Sequence, residues 1–307
     1  MIYTYTLTPS LDYTVYLPGF STGKLNRSEE VYYYPGGKGI NVSRVLKRLG
    51  TDSTAVGLAG GFTGDYLEQF LQDEGIRTEL IRTDSVTRIN VKIKSEQETE
   101  LNGPGPEITE KERLQLLDRA RRMERGDWLV LAGRIPDSAG ADFASELAGI
   151  CRDIGVRLAV DTSGPVLKEL AGMQPELMKP NEHELGELFG VEIGTKEEAL
   201  KYARLLVGQG VRHVIVSMGG EGALYVSESV EAEAQAPEVK VVNTVGAGDS
   251  LVSGFISALE SGESARDAFR YGVAAGSATV SRSDLCRKKD VDALAGQITV
   301  TRLKEGE

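Results

Sequence analysis

Asn243-Thr244-Val245-Gly246-Ala247-Gly248-Asp249-Ser250 runs directly into a segment in which Leu251, Phe255 and Leu259 recur every four residues, with Val252 and Ile256 alongside. The spacing predicts a glycine-rich turn that opens a buried helix. Gly246 and Gly248 let the backbone approach a ligand with no Cβ in the way. The free N–H groups of the first helical turn then point at whatever anion sits there. Two readings of Asp249 fit this placement. As a catalytic group it takes a proton from an attacking hydroxyl while the amides around Gly246, Ala247 and Gly248 hold the charge on a transferred phosphoryl group. As a plain helix acid it complements the dipole, an effect of about 0.3–1 kcal/mol.

Upstream, the chain alternates strand with helix. After a first strand, Ile2 to Leu7, short apolar runs at Thr54 to Leu58, Trp128 to Ala132, Leu158 to Asp161, Leu177 to Lys179 and Val214 to Ser217 read as strands covered on both faces. Helical patterns separate them: Ile40 to Leu49, Tyr66 to Glu74, Glu110 to Met123, Phe143 to Ile154, Glu184 to Phe189 and Lys196 to Val207. This order predicts an α/β fold of three layers, α/β/α, around a mostly parallel sheet. Two stretches break the series. Residues 12–34 end in Val31-Tyr32-Tyr33-Tyr34, and residues 87–101 carry the period-two string Thr87-Arg88-Ile89-Asn90-Val91-Lys92. Pairing of these excursions gives a small second sheet, a lid over a site, within a single domain spanning residues 1–307.

The 307 residues are 40% hydrophobic and 26% charged, the balance of a globular chain that folds without staples. A formal charge of -11 argues against nucleic acid or an anionic membrane as the main partner, so an anionic substrate needs a locally basic pocket. No apolar run is long enough for a membrane span, and Met1-Ile2-Tyr3-Thr4-Tyr5 lacks the start of a signal peptide. A cytoplasmic protein is expected. Cys151 and Cys286, with His183 and His213, supply neither a disulfide framework nor a cysteine or histidine metal cluster.

Further motifs each carry two readings. Pro35-Gly36-Gly37-Lys38-Gly39-Ile40-Asn41 is no Walker A loop. It either brings bare backbone to a polyhydroxylated ligand, with Lys38 and Asn41 as donors, or makes a tight turn with a surface lysine. In Lys179-Pro180-Asn181-Glu182-His183-Glu184, Asn181 and Glu184 either hold a hydrated Mg²⁺ or form a helix capping box. Ser217-Met218-Gly219-Gly220-Glu221-Gly222 lies against a nucleotide or connects two strands. Arg88 and Asn90, two apart on one strand face, meet an anion or form an exposed polar pair.

Together these motifs resemble the ribokinase-like carbohydrate kinases, in particular the phosphofructokinase B type. The similarity spans Thr8 to Asp12, residues 36–46, 87–92, 179–184 and 245–250. It implies ATP-dependent phosphorylation of fructose 1-phosphate at C6, with tagatose 6-phosphate or fructose 6-phosphate as the alternative acceptors. A sugar-phosphate sensor that kept the fold is the alternative from another class. The resemblance implies Asp249 as general base and the amides of Gly246 to Gly248 as anion hole. It gives Asp12, Gly37, Lys38 and Asn41 to the sugar, and Lys38 and Arg88, with Asn90 nearby, to its phosphate. Ser217, Gly219, Gly222, Ala275 and Ser277 fall beside ATP, and Asn181 and Glu184 near Mg²⁺ through water. A homodimer through the lid is implied as well. One departure stands out: the family commonly has a small serine where this chain has Arg134, which either adds a phosphate contact or crowds the sugar.

Overall fold

The computed structural model describes residues 1–305. Strands β1 (Ile2–Thr6), β2 (Ser10–Tyr16) and β3 (Glu30–Gly36) lead into helix α1 (Lys38–Leu49), followed by β4 (Thr54–Ala59), α2 (Gly61–Asp73), β5 (Arg77–Arg82), β6 (Arg88–Lys94) and β7 (Thr99–Asn102). The middle of the chain contains α3 (Glu110–Ala120), β8 (Trp128–Ala132), α4 (Phe143–Ile154), β9 (Arg157–Asp161), α5 (Val166–Gly172) and β10 (Leu177–Met178). The last third comprises α6 (Glu182–Phe189), α7 (Lys196–Gly208), β11 (His213–Ser217), β12 (Ala223–Val226), β13 (Val230–Ala234), α8 (Ala247–Glu260), α9 (Ala265–Val280), α10 (Lys288–Ala295) and β14 (Val300–Glu305).

The main sheet has ten strands in the order β14-β13-β12-β11-β10-β9-β8-β1-β4-β5. Its strands are parallel from β5 to β11, and β12, β13 and β14 add an antiparallel edge. Side chains alternate between two cores, as the pleat requires. In β8, Leu129 and Leu131 face one core, with Leu116, Leu147, Leu170, Leu185 and Leu206 from α3 to α7. Trp128 and Val130 face the other, with Val45, Phe255, Phe269 and Val291 from α1, α8, α9 and α10. The α/β/α expectation therefore holds, with an antiparallel edge that the short, Glu-interrupted strand Val230–Ala234 did not announce.

A second sheet of four strands, order β3-β2-β6-β7, stands apart from the first. β2 runs parallel to β6 with Ser10 opposite Arg88 and Asp12 opposite Asn90, and antiparallel to β3. This register brings the polar face of Thr87 to Lys92 over the start of α1.

Candidate active site

The glycine turn begins α8. Gly246 is its N-cap at φ +81°, in the left-handed region open to glycine, and a Cβ there would lie 2.5 Å from a Leu285 methyl. The N–H groups of Gly248 and Asp249 find no backbone acceptor among the described residues, so the first turn keeps donors for a ligand. Asp249 itself is buried, and its Oδ2 accepts a hydrogen bond of 2.8 Å from Asn41 Nδ2 on α1. Burial, then the charge of Asp161, push its carboxyl up to about 6, against the opposing pull of Lys38, the Asn41 bond and Lys179. Such a group is mostly ionised at neutral pH yet far more basic than an ordinary aspartate.

Beside it lies a charged cluster at the carboxyl ends of the strands, where open α/β sheets place their ligands. Asp161 ends β9, and its Oδ1 receives Lys38 Nζ at 2.9 Å and Lys179 Nζ at 3.3 Å. Burial alone would raise the Asp161 carboxyl, but Lys179 and Lys38 hold it below its ordinary value. Its Oδ2 is buried without a partner. A Cβ on Gly248 would sit 3.2 Å from Lys179 Nζ, so the bare glycine makes room for that ammonium against the anion-binding turn. The sequence reading missed both Asp161 and Lys179. The available signal was a charged residue closing an otherwise apolar strand, twice.

Two residues that the sequence assigns to the sugar also hold partners within the protein. The Lys38 ammonium is held by Asp161 and lies 3.8 Å from Glu184, in the field of Asp249. Asn41 gives one of its two amide N–H donors to Asp249. Both follow from α1, which starts at Lys38 and turns these two side chains toward α8 and β9 rather than toward β6. Asn181 and Glu184 do form the capping box of α6: Asn181 Oδ1 accepts from Glu184 N–H at 2.7 Å, and Glu184 Oε2 from Asn181 N–H at 3.0 Å.

A cavity of about 660 Å³ opens on Ala247 and Gly248 and extends between Ser217, Gly219 and Gly222 on one side and Val273, Gly276, Ser277 and Val280 of α9 on the other. The segment Ser217 to Gly222 both connects β11 to β12 and lines this cavity. Ala275 does not line it. It is fully buried, its Cβ turned to Gly254 of α8, so the assignment of Ala275 is corrected to core.

On the far side of Asp249, Asp12 Oδ1 accepts from Ser10 Oγ at 2.7 Å and from Asn90 Nδ2 at 2.9 Å, while its Oδ2 lies 4.0 Å from Lys92 Nζ. Gly37, at φ +110°, leaves no room for a side chain: a Cβ would stand 2.8 Å from Thr6. Arg88 is partly buried, donates to Gly103 O at 3.3 Å and leaves its Nε without a partner. The site thus has three adjoining parts: a cavity walled by glycines with both apolar and polar side chains, a buried carboxylate with amides and cations, and a polar pocket under the small sheet.

Residues 6–290 match the pfkB family of carbohydrate kinases. The chain belongs to that family. It is 46% identical over 303 residues to the 1-phosphofructokinase of Bacillus subtilis, covering 99% of this chain and 100% of that protein. To a D-tagatose-1-phosphate kinase of Bacillus licheniformis it is 36% identical over 99% of this chain and 100% of that protein. A crystal structure of phosphofructokinase-2 from Escherichia coli in complex with fructose-6-phosphate superposes with a TM-score of 0.91 at 33% identity, covering 96% of this chain and 98% of the other. For a pfkB kinase the three-part site is chemically coherent, since phosphoryl transfer needs a donor cavity, a charge-stabilising centre and an acceptor pocket in line. Among the described residues no helix is long and apolar enough to cross a membrane.

Proposed function

We propose that this kinase transfers the terminal phosphoryl group of ATP to the C6 hydroxyl of fructose 1-phosphate, giving ADP and fructose 1,6-bisphosphate. The observation that carries the reading is Asp249, a buried carboxylate raised to about 6 and fixed by Asn41 at the mouth of a turn with free amides. The nucleotide base lies against Val273, Gly276 and Ser277, which brings the polyphosphate to Gly248. Asp249 accepts the C6 hydroxyl proton as that oxygen bonds to the terminal phosphorus and the bond to ADP breaks. The Ala247 N–H donates to the Thr244 carbonyl at 3.3 Å, so the amides of Gly248 and Asp249, with Lys179 alongside, receive the charge on the equatorial oxygens. Lys38 balances Asp161 and Glu184 and keeps the centre's field from becoming net acidic around the incoming phosphates.

The donor set suits Mg²⁺. Asn181 Oδ1 is taken by the helix cap, but Glu184 Oε1 and the unpartnered Asp161 Oδ2 are hard oxygen donors facing this centre. No group of three or more metal-ligating side chains exists among the described residues, which fits a cation that keeps several waters and leans on substrate phosphates. Bound there, Mg²⁺ would screen the phosphate charges of ATP.

At the acceptor end, Asp12, Asn90 and the backbone of Gly37 hold the sugar, and Arg88 takes its phosphate. The small sheet, residues 12–34 and 87–101, serves as a lid of one kinase domain spanning residues 1–307. Its outer face leaves Tyr33, Ile89 and Leu101 exposed, which supports a homodimer through the lid. A cytoplasmic setting suits such substrates. Tagatose 1-phosphate is the second acceptor to weigh, given the relative that carries that name; it differs from fructose 1-phosphate only at C4. An ADP-release assay with fructose 1-phosphate, tagatose 1-phosphate, fructose 6-phosphate and tagatose 6-phosphate tests the reading. Fructose 1-phosphate should give the highest kcat/KM. A higher value for another sugar reassigns the substrate, and binding without ADP release from any of them would favour a sensor.

A further inference from the structure

Arg134 follows β8 after Gly133, and Thr8 Oγ1 donates to its carbonyl at 3.3 Å. Thr8 lies two residues before Ser10, the partner of Arg88 in the register of β2 with β6. Two elements distant in sequence therefore deliver two guanidiniums to the same rim. Neither has a carboxylate partner. Arg134 is exposed and forms no ion pair or side-chain hydrogen bond among the described residues. Arg88 forms no ion pair either, and its Nε is buried without an acceptor. The acid whose charge reaches Arg88, Asp12, already accepts from Ser10 and Asn90. After burial, which comes first, Arg134 further lowers the Arg88 guanidinium against the opposing pull of Asp12, so the two cations sense one another.

A dry, unsatisfied N–H within the field of a second cation calls for an anion with several acceptor oxygens. We propose that Arg134 and Arg88 form a two-guanidinium clamp for the phosphate already on the sugar, making Arg134 a substrate-binding residue that selects phosphorylated over free sugars. The clamp rests on the acceptor reading above. The planar forks match phosphate oxygens bidentately, which a single lysine cannot do. Because Arg134 is solvent-exposed and its backbone carries the Thr8 contact, truncating its side chain leaves the fold in place.

Calorimetric titration of fructose 1-phosphate, without nucleotide, into wild type, Arg134→Ala, Arg134→Lys, Arg88→Ala and the double Ala variant tests this. Arg134→Ala should weaken binding by at least about tenfold, the loss of one charge-assisted hydrogen bond. Arg134→Lys should recover only part of it, and the double variant should lose less than the sum of the singles. Inorganic phosphate should compete with the sugar in wild type and not in the double variant, and the KM for ATP should not follow these changes. Equal or tighter binding by Arg134→Ala, as crowding of the sugar would give, overturns the clamp, as does absence of binding by wild type. ADP release by wild type, measured separately, judges the kinase reading: turnover with Arg134-independent binding sinks the clamp alone.

Discussion

Asp249 gathers the opposing forces of the site into one titrating group. Removing it by Asp249→Ala should lower kcat by about 10²–10⁴-fold, the range for a positioned general base, while fructose 1-phosphate still binds; near-normal turnover would refute the role. The pH profile adds a finer test. With the carboxyl at about 6, kcat/KM should fall on the acid side of that value. Asn41 donates to the ionised form and so lowers the value; Asn41→Leu should move the acid limb to higher pH, and an unmoved limb would show that Asn41 does not tune the base. The same elevation has a stability consequence. The folded value lies above the ordinary 3.8, so the folded state binds the proton more tightly and stability declines as pH rises from about 4 through 6. Asp249→Asn should therefore be more stable than wild type at pH 8 by at most about 3 kcal/mol, with the difference gone below pH 4. Thermal melts at the two pH values check this; equal melts at pH 8 would mean the carboxylate is not strained.

Helix α8 supplies the turn, and its glycines separate shape from chemistry. Gly248→Ala places a Cβ 3.2 Å from Lys179 Nζ inside a helical turn that favours alanine. The melting temperature should hold or rise while kcat falls by about tenfold to a hundredfold, the effect of a displaced charge at the reacting centre. Unchanged turnover would take Lys179 out of the mechanism. Elements of this kind were legible: α8 follows its four-residue spacing, and α4 begins and ends where the apolar pattern of Phe143 to Ile154 does. Helix α2 starts at Gly61 rather than Tyr66 because Gly61 and Gly64 interrupt no core stripe yet give no apolar signal. Strand β5 escaped because Arg77-Thr78-Glu79 carries charge on the outermost strand, and β13 because Glu231 and Glu233 interrupt its apolar pattern although it lies between β12 and β14. At the site, residue types were readable but directions were not. Lys38, Asn41 and Ala275 took other neighbours because a helix's rotation is set by its packing, which no local spacing records.

For the whole molecule, one buried network ties the first third of the chain to the last. Arg44, 1% exposed, bonds Glu74 after α2 and Asp284 before α10, and lies against Tyr34 and Phe70, while Arg48 shares both carboxylates. This network fixes α1, and with it Asn41 against Asp249. Arg44→Met should cost about 3 kcal/mol by leaving two part-buried carboxylates short of a cation, read as a lower urea midpoint; an unchanged midpoint would make the network dispensable. Burial opposes ionisation of Glu74 and Asp284, but Arg44 and Arg48 hold both below their ordinary 4.5 and 3.8, so the network's contribution is complete above about pH 4.5 and fades as pH falls below it. The central claim concerns where the two substrates meet. A crystal structure with fructose 1-phosphate and a non-hydrolysable ATP analogue tests it most directly. The C6 hydroxyl should lie about 2.6–3.2 Å from the Asp249 carboxylate, in line with the terminal phosphorus, whose oxygens rest on the amides of Gly248 and Asp249. A terminal phosphorus lodged away from that turn, or a C6 hydroxyl facing another group, would contradict it.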